Sequence, residues 1–466
     1  MRKQFLKKAV TVMLTGVMVF SFTACGGGDK KDSSKGSSDG TEKTIDATLD
    51  SIELGKDYTT VKADIKFITH RIDIVDTKFK KYAVDFKKMY PNVNVEFEGI
   101  TNYADEFTTR LTTGDWGDIC MIPTSVDKDE LGTYFTPLGT KDGLSSIYDG
   151  KMLNNYAYGD NVYGLPSMVN VCGVVYNKAV FEKAGITETP KTPDEFIEDL
   201  QKIKDKTDAI PLYTNFAAGW TMTAWDSYID GCATGDPDFM NEKIVKGKDP
   251  FSDRGDGTGP YAVYNTLYQA VSKGLVEEDP TTTDWEGCKG MINNGKIGCM
   301  ALGSWSIPQM QQAGKNADDI GYMPFPITVN GKQYAASAPD YNYGINCNSS
   351  KDNQIASMCF VKYMVEKTGL AQEDGALSVV KGSEEPEVLK DFEGIELVVN
   401  NPAPEGEETL FNDVNNVSEL GINSSGEVAT EIVESAIDGS KSMDDLVKEW
   451  NEKWTAAQEA KGVTPQ

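Results

Sequence analysis

Histidine is nearly absent. His70 is the single one among 466 residues. A zinc hydrolase wants several histidines at ligand spacing, and serine or cysteine hydrolases want a nucleophile motif with a histidine base. No G-x-S-x-G stands in the chain, and "LGSW" is not one. Cationic side chains are also few: 45 Lys and Arg face 72 Asp and Glu, for a formal charge of −27. Four of the cations fall in residues 1–24, which hold no acid, so the remainder carries 41 − 72 = −31. Such a surface repels nucleic acid and anionic lipid. A neutral or cationic ligand fits it better than a polyanion. The eight cysteines show no close pairing, and "GDICMI" and "IASMCFV" place several of them in apolar runs as small core residues. "SDRGDGTG" (252–259) lacks the alternating acids and closing Glu of a calcium loop. No glycine-rich turn has a phosphate-loop pattern, and there is no internal repeat. Nothing calls for a metal or a cofactor.

What is present begins at the N-terminus. "MRKQFLKK" is a basic start, and "AVTVMLTGVMVFSF" is an apolar run shorter than the roughly 20 residues a spanning helix needs. Phe22-Thr23-Ala24-Cys25 then resembles a bacterial lipobox, with Phe22 where Leu is usual. Residues 1–24 are therefore expected to be a lipoprotein signal peptide and Cys25 a lipidated residue that anchors the chain to the outer face of the membrane. Residues 26–44, "GGGDKKDSSKGSSDGTEKT", hold no aromatic or aliphatic side chain and cannot bury a core. A coil of this kind reaches roughly 25 Å. The whole of 25–57 is expected to be lipidated Cys plus disordered tether, with order starting near residue 58.

Composition beyond the tether is globular, with 39% hydrophobic and 25% charged residues, and the length suggests roughly two to three domains. "ADIKFIT" (63–69) reads as a strand. Phe79, Tyr82, Ala83, Phe86, Met89 and Tyr90 then share a helical face that Pro91 stops, and "VNVEF" alternates as a second strand. This β-α-β start predicts parallel pairing with a right-handed crossover. A further helix leads to a third strand over 118–122, the beginning of a doubly wound sheet. Thr192 with Pro193 and Glu195 predicts a helix start with a capping box, and Ser442 predicts another cap. Residues 221–296 read as mainly helical.

Several segments together are similar to one family, the extracellular solute-binding proteins of ABC importers that bind sugars and resemble maltose-binding protein. They are the lipobox and tether, "FKKMYPNVNVEFEG", "LTTGDWGDI", "YNKAVFEKAGI" with "TPDEF", "MINNGKIGCMALGSW", "GYMPFP" and "AIDGSKSMDDLVKEWNEKW". The resemblance implies an α/β, two-lobed periplasmic-binding-protein-like fold, each lobe a doubly wound sheet, with ligand in the cleft between lobes. It implies three passages of the chain between lobes, expected near 168, 325 and 375. Lobe 1 is then 58–168 plus 326–375, and lobe 2 is 169–325 plus 376–466. The implied function is capture of a sugar or oligosaccharide and delivery to ABC permease subunits, by a monomer, without catalysis. A peptide, polyamine or polyol phosphate ligand remains an alternative, as does a surface carbohydrate-active enzyme.

A sugar ring offers an apolar C–H face and a rim of hydroxyls, which call for an aromatic platform and for carboxylates, amides and arginine. Trp305 ends a buried run in "ALGSW" and matches the family's Trp in "GSW". Trp220 follows a strand in "NFAAGW", and Trp116 sits in "GDWGD". His70, Arg71 and Asp73 lie in the loop after the first strand, which the resemblance turns toward the cleft; an ordinary solvated loop is the plainer reading. Thr124 and Ser125 follow the third strand, Asn170 lies in the first passage, and Asp340 with Tyr341 lies in "APDYNYG". These eleven residues are the candidate ligand contacts.

Overall fold

The computed structural model describes residues 45–466, residues 115 and 393 excepted. The signal sequence, Cys25 and the tether as far as residue 44 lie outside the described residues. The strands that build the two main sheets are β1 (Ala63–Thr69), β2 (Val93–Gly99), β3 (Ile119–Ile122), β4 (Gly164–Pro166), β5 (Val169–Asn177), β6 (Ile210–Leu212), β7 (Ile297–Gly303), β8 (Ile320–Met323), β9 (Tyr334–Pro339), β10 (Asn342–Ile345) and β11 (Glu396–Val398).

The alternating pattern of "ADIKFIT" becomes β1, whose Ile65, Phe67 and Ile68 are buried. The chain then runs through a helical stretch, Val75–Phe79 and Lys80–Phe86, into β2, which pairs with β1 in parallel. Phe79 and Phe86 sink into the core, and the Phe79 ring stacks 5.8 Å from that of Phe67. The first sheet has the order β2-β1-β3-β10-β4, and β10 enters antiparallel to both of its neighbours. The second has the order β11-β9-β5-β7-β6, with β8 also on β5. Both sheets mix parallel and antiparallel pairs, a common arrangement in large α/β domains.

Each sheet carries its own core. Residues 47–169 and 343–379 supply the first, around Phe67, Phe86, Phe107 and Phe360. The second sheet is covered on both faces, by Val174, Phe196, Trp225 and Trp450 on one and by Val171, Ile292, Leu302 and Phe392 on the other. Two separate cores of this kind make two lobes. The passage expected near 325 falls later. Phe325, Ile327 and Ala336 pack in the second core, and β9 pairs with β5 through Ser337 opposite Val171. The chain therefore stays in lobe 2 to Pro339 and reaches lobe 1 at β10. The later segment also holds to lobe 1 a little longer than expected, since Ala376 and Val379 lie in the first core.

Residues 45–57 depart from the expected tether. Ala47, Leu49 and Ile52 are buried in the first core. Leu49 donates its N–H to Leu138 O at 2.8 Å, and the Lys362 ammonium donates to Leu49 O at 2.7 Å. Lys362 is also paired with Glu366 at 2.7 Å, and Glu366 accepts from the Tyr148 hydroxyl at 2.8 Å. This strap is polar in composition, but Ile45, Ala47, Leu49, Ile52 and Leu54 all pack against the lobe. At the helix Pro193–Lys206 the expected capping box is half made. Thr192 Oγ1 accepts from the Glu195 N–H at 3.2 Å, but the Glu195 carboxylate takes the Lys191 N–H instead. At Met443–Ala460 the box with Ser442 is complete.

Candidate functional site

β1 delivers Thr69 to the edge of lobe 1, and the chain turns through His70 to Asp73. The His70 ring lies 4.5 Å from the Tyr341 ring, tilted by 33°, and meets Tyr103 edge-on at 6.0 Å. Tyr103 is itself fixed, because its hydroxyl donates to Met121 O and accepts from Met121 N–H, both at 2.8 Å. His70 Nδ1 is buried without a hydrogen-bond partner. Burial, with the Arg71 charge beside it, pushes the imidazole down to about 3, so the ring is neutral at ordinary pH. Arg71 grips Asp73 with two bonds, Nε to Oδ1 at 2.9 Å and a terminal nitrogen to Oδ2 at 2.7 Å, and its other arm holds Asp374. Burial works against the guanidinium charge, but these carboxylates outweigh it and raise its pKa. Burial likewise raises the Asp340 carboxyl, opposed by the Tyr341 N–H at 2.7 Å, by Arg71 and by Asn170. Arg71 and Lys78 among the carboxylates of Asp73, Asp340, Glu373 and Asp374 leave this side negative, which disfavours an anionic ligand.

On lobe 2, β7 runs into "GSW". Ser304 is fully buried and extends the ladder: its N–H donates to Val171 O at 2.9 Å, and its hydroxyl accepts from Val171 N–H at 3.2 Å. Trp305 then folds back over the strand end. A Cβ at Gly303 would lie 2.7 Å from the Trp305 Nε1, so only glycine leaves room for the indole. Trp305 does not stand alone. Its ring centre is 5.7 Å from that of Trp220 and 5.6 Å from that of Trp285, and those two are 5.0 Å apart. Trp220 is 43% exposed and the other two are half-buried. Three tilted indoles form an aromatic wall, with Trp220 its exposed member and the Lys289 ammonium 4.8 Å from the Trp285 ring centre. Trp285 is absent from the sequence reading; its only signal is a large aromatic opening the helix Trp285–Asn293 behind the cap Asp284.

The two sides meet at the passages between lobes. Asn170 pairs across β5 and β9 with Ala338, and its Cβ lies 3.8 Å from the Cβ position of Gly303, beside the Trp305 indole. Asn170 Oδ1 is buried and unpartnered. The Asp340 N–H donates to Met168 O at 3.0 Å, which locks the first two passages together. Asp374, the second anion on Arg71, precedes Gly375, whose Cβ position is 3.0 Å from Ser304 O. Neighbours thus run from the Trp305 indole to Asn170, which bonds to Asp340, and on to Tyr341, whose ring meets His70. Asp374 lies 303 residues from Arg71, and nothing local in the sequence points to it.

Not every candidate joins this constellation. Trp116 is 2% exposed and packs edge-on against Phe107 and Phe135, so it is a core residue of lobe 1 and not a ligand platform. Thr124 and Ser125 are exposed after β3, with Ser125 Oγ 3.0 Å from Thr108 Oγ1. Asp73 is exposed and serves Arg71. A surface cavity of about 720 Å³ lies elsewhere, lined by Asp249, Tyr261, Asp444 and Asn451, and shares no residue with the constellation. Chemistry, not hollow size, marks the site.

Comparison with known proteins agrees with this architecture. The model of the family described as bacterial extracellular solute-binding protein matches residues 73–371. The chain is 47% identical to the BlMnBP1 binding protein of an ABC transporter from Bifidobacterium animalis subsp. lactis, solved in complex with mannobiose; the match covers 90% of this chain and 100% of that one, with a TM-score of 0.87. It is 46% identical to BlMnBP2, a manno-oligosaccharide specific solute binding protein of the same organism solved with mannotriose, over 89% and 99% of the two chains, with a TM-score of 0.86. A multiple sugar-binding protein of Streptococcus mutans is 25% identical over 335 residues, covering 70% of this chain and 77% of that protein. These relatives are binding proteins and not enzymes. With two lobes, an aromatic wall and unpartnered polar atoms at the passages between them, the chain belongs to the bacterial extracellular solute-binding proteins.

Proposed function

We propose that this protein captures a neutral oligosaccharide of the mannobiose type in the cleft between its lobes and hands it to the permease of an ABC importer. The observation that carries the reading is the wall of Trp220, Trp285 and Trp305 beside two unpartnered polar atoms, His70 Nδ1 and Asn170 Oδ1. An indole face suits the C–H face of a sugar, and the polar atoms lack partners that sugar hydroxyls supply. Identity of 46–47% with the two mannose-oligosaccharide binders supports the same ligand class. No bond changes in this function. The ligand binds the closed arrangement of the lobes more tightly than the open one, and that difference in affinity drives closure. Thr124 and Ser125 line the rim at the end of β3, and Arg71 acts mainly by holding Asp73 and Asp374.

The test is a melting screen of the full-length protein against mannobiose, mannotriose, other oligosaccharides, peptides and polyamines. A ligand at 100 times its Kd adds about 2.7 kcal/mol, enough to displace the transition visibly. A shift with mannobiose or mannotriose is expected. A shift with peptides or polyamines alone would discard the sugar reading and keep the fold.

The chain is exported, and the lipobox motif supports an anchor on Cys25. In cells, the protein is then expected to partition into the detergent phase, and Cys25→Ser into the aqueous phase. Equal partitioning of the two would remove the anchor.

A further inference from the structure

On the second sheet, Asn170 of β5 stands opposite Ala338 of β9, and Ala336 stands opposite Val398 of β11. Side chains two residues apart along a strand share a face. Carrying the β9–β11 register two residues past its last pair, beyond the end of β11 at Val398, sets Asn400 beside Ala338, on the face and at the end of the sheet that carry Asn170. Asn400 Nδ2 donates to Asp230 Oδ2 at 3.0 Å. Three oxygens in this row are buried with no hydrogen-bond partner: Asn170 Oδ1, Asn400 Oδ1 and Asp230 Oδ1. The orientation of each amide is set by the carboxylate it serves, Asp340 for Asn170 and Asp230 for Asn400, so both amide oxygens point away from those carboxylates.

Asp230 is 8% exposed. The N–H groups of Gly231 and Cys232 lean toward its carboxylate, and neither closes a bond to Oδ1. Burial pushes this carboxyl up to about 6, and no lysine or arginine among the described residues compensates it. Each buried acceptor without a donor costs on the order of 1–3 kcal/mol, and native folds keep few of them. Ala338, in the middle of the row, is exposed, and the Trp305 indole stands beside Asn170 across Gly303. The row therefore opens onto the site and is not sealed inside the lobe.

We infer that Asn170, Asp230 and Asn400 form an acceptor row in lobe 2 that receives ligand hydroxyls as donors, and that this row selects neutral sugars over uronates and phosphorylated sugars. The inference rests on the sugar-binding reading. A hydroxyl rotates its proton onto any of the three oxygens. A carboxylate or phosphate brings only lone pairs and a negative charge against them and against Asp230.

The experiment is titration calorimetry of the full-length protein with mannobiose, mannotriose and a disaccharide ending in a uronate, for the wild type, Asp230→Asn and Asn400→Ala. The wild type is expected to bind the neutral sugars at least tenfold more tightly than the uronate. Asp230→Asn is isosteric and removes the buried charge, so its melting temperature is expected to hold or rise. Its neutral-sugar affinity is expected to fall tenfold or more, with a narrower gap to the uronate. Asn400→Ala is expected to fall similarly; if it does not fold, Asp230→Asn carries the test alone. Wild-type affinity and selectivity in the variants would overturn the acceptor row and leave the sugar reading standing. A wild type that takes no neutral sugar would overturn both.

Discussion

Trp305→Ala is expected to weaken mannobiose binding by about 2–4 kcal/mol, roughly 30- to 1,000-fold, while the protein still melts cooperatively. Three features set this magnitude. The indole is in contact with both Trp220 and Trp285. It borders Asn170, so it orients the ligand against the polar side as well as covering its face. It is half-buried, so its removal leaves a hole beside the Trp220–Trp285 pair at the strand end. Trp220→Ala, at an exposed rim position, is expected to cost less. Titration calorimetry with mannobiose measures both, and a melting curve for each variant separates lost contact from lost fold. Wild-type affinity in Trp305→Ala would remove the indole from the site and leave it a packing residue of the helix Ser306–Gln312.

The second large effect lies far from any ligand. Lys362→Met is expected to destabilise the protein by about 3–5 kcal/mol. At about 2–4 °C per kcal/mol for a lobe of this size, the melting temperature falls by roughly 6–20 °C. Lys362 is 6% exposed, paired with Glu366 at 13%, and it also donates to Leu49 O. Removing the ammonium leaves a buried carboxylate without its counter-charge and strips the strap of its strongest tie. Lys362→Met with Glu366→Gln is expected to recover part of the loss, because the stranded charge is then gone. Differential scanning calorimetry on the three proteins decides it. A single variant that melts with the wild type would show that the strap holds by Ala47, Leu49 and Ile52 alone.

Much of this molecule is legible locally. β1 occupies the residues that its alternation assigns, and the following helix and β2 obey their own periodicities, because each buries one face against the sheet it belongs to. The partial exposure of Trp305 and Trp220 is readable because small residues stand around each large aromatic. The same reasoning fails at Trp116. "GDWGD" looks just as turn-like, but Phe107 and Phe135 arrive from elsewhere and cover the ring. The late passage between lobes is invisible for a similar reason. "YAASAP" has no local cue that its partner is Val169–Val171, and the pairing decides which lobe it joins. The second carboxylate on Arg71, Asp374, has no local cue either, because it comes from the far end of lobe 1. The strap hides because a few short apolar residues scattered through a polar stretch do not register as a core segment.

The return of the chain to lobe 1 has a kinetic consequence. β10 lies inside the first sheet, between β3 and β4, and pairs Asn342 with Ile122. Thr136 in turn bonds to Gln354, 218 residues away. Before residues 342–345 are available, β3 and β4 have no strand between them and the first core stands open. The long loop must close before these contacts repay its entropy, so lobe 1 has a high contact order and folds slowly for its size. A chain emerging from its N-terminus cannot complete this lobe until about four-fifths of it is present. For an exported protein this delay is useful, since a polypeptide that cannot close its first lobe early stays threadable for the crossing and acquires its binding surface on the far side.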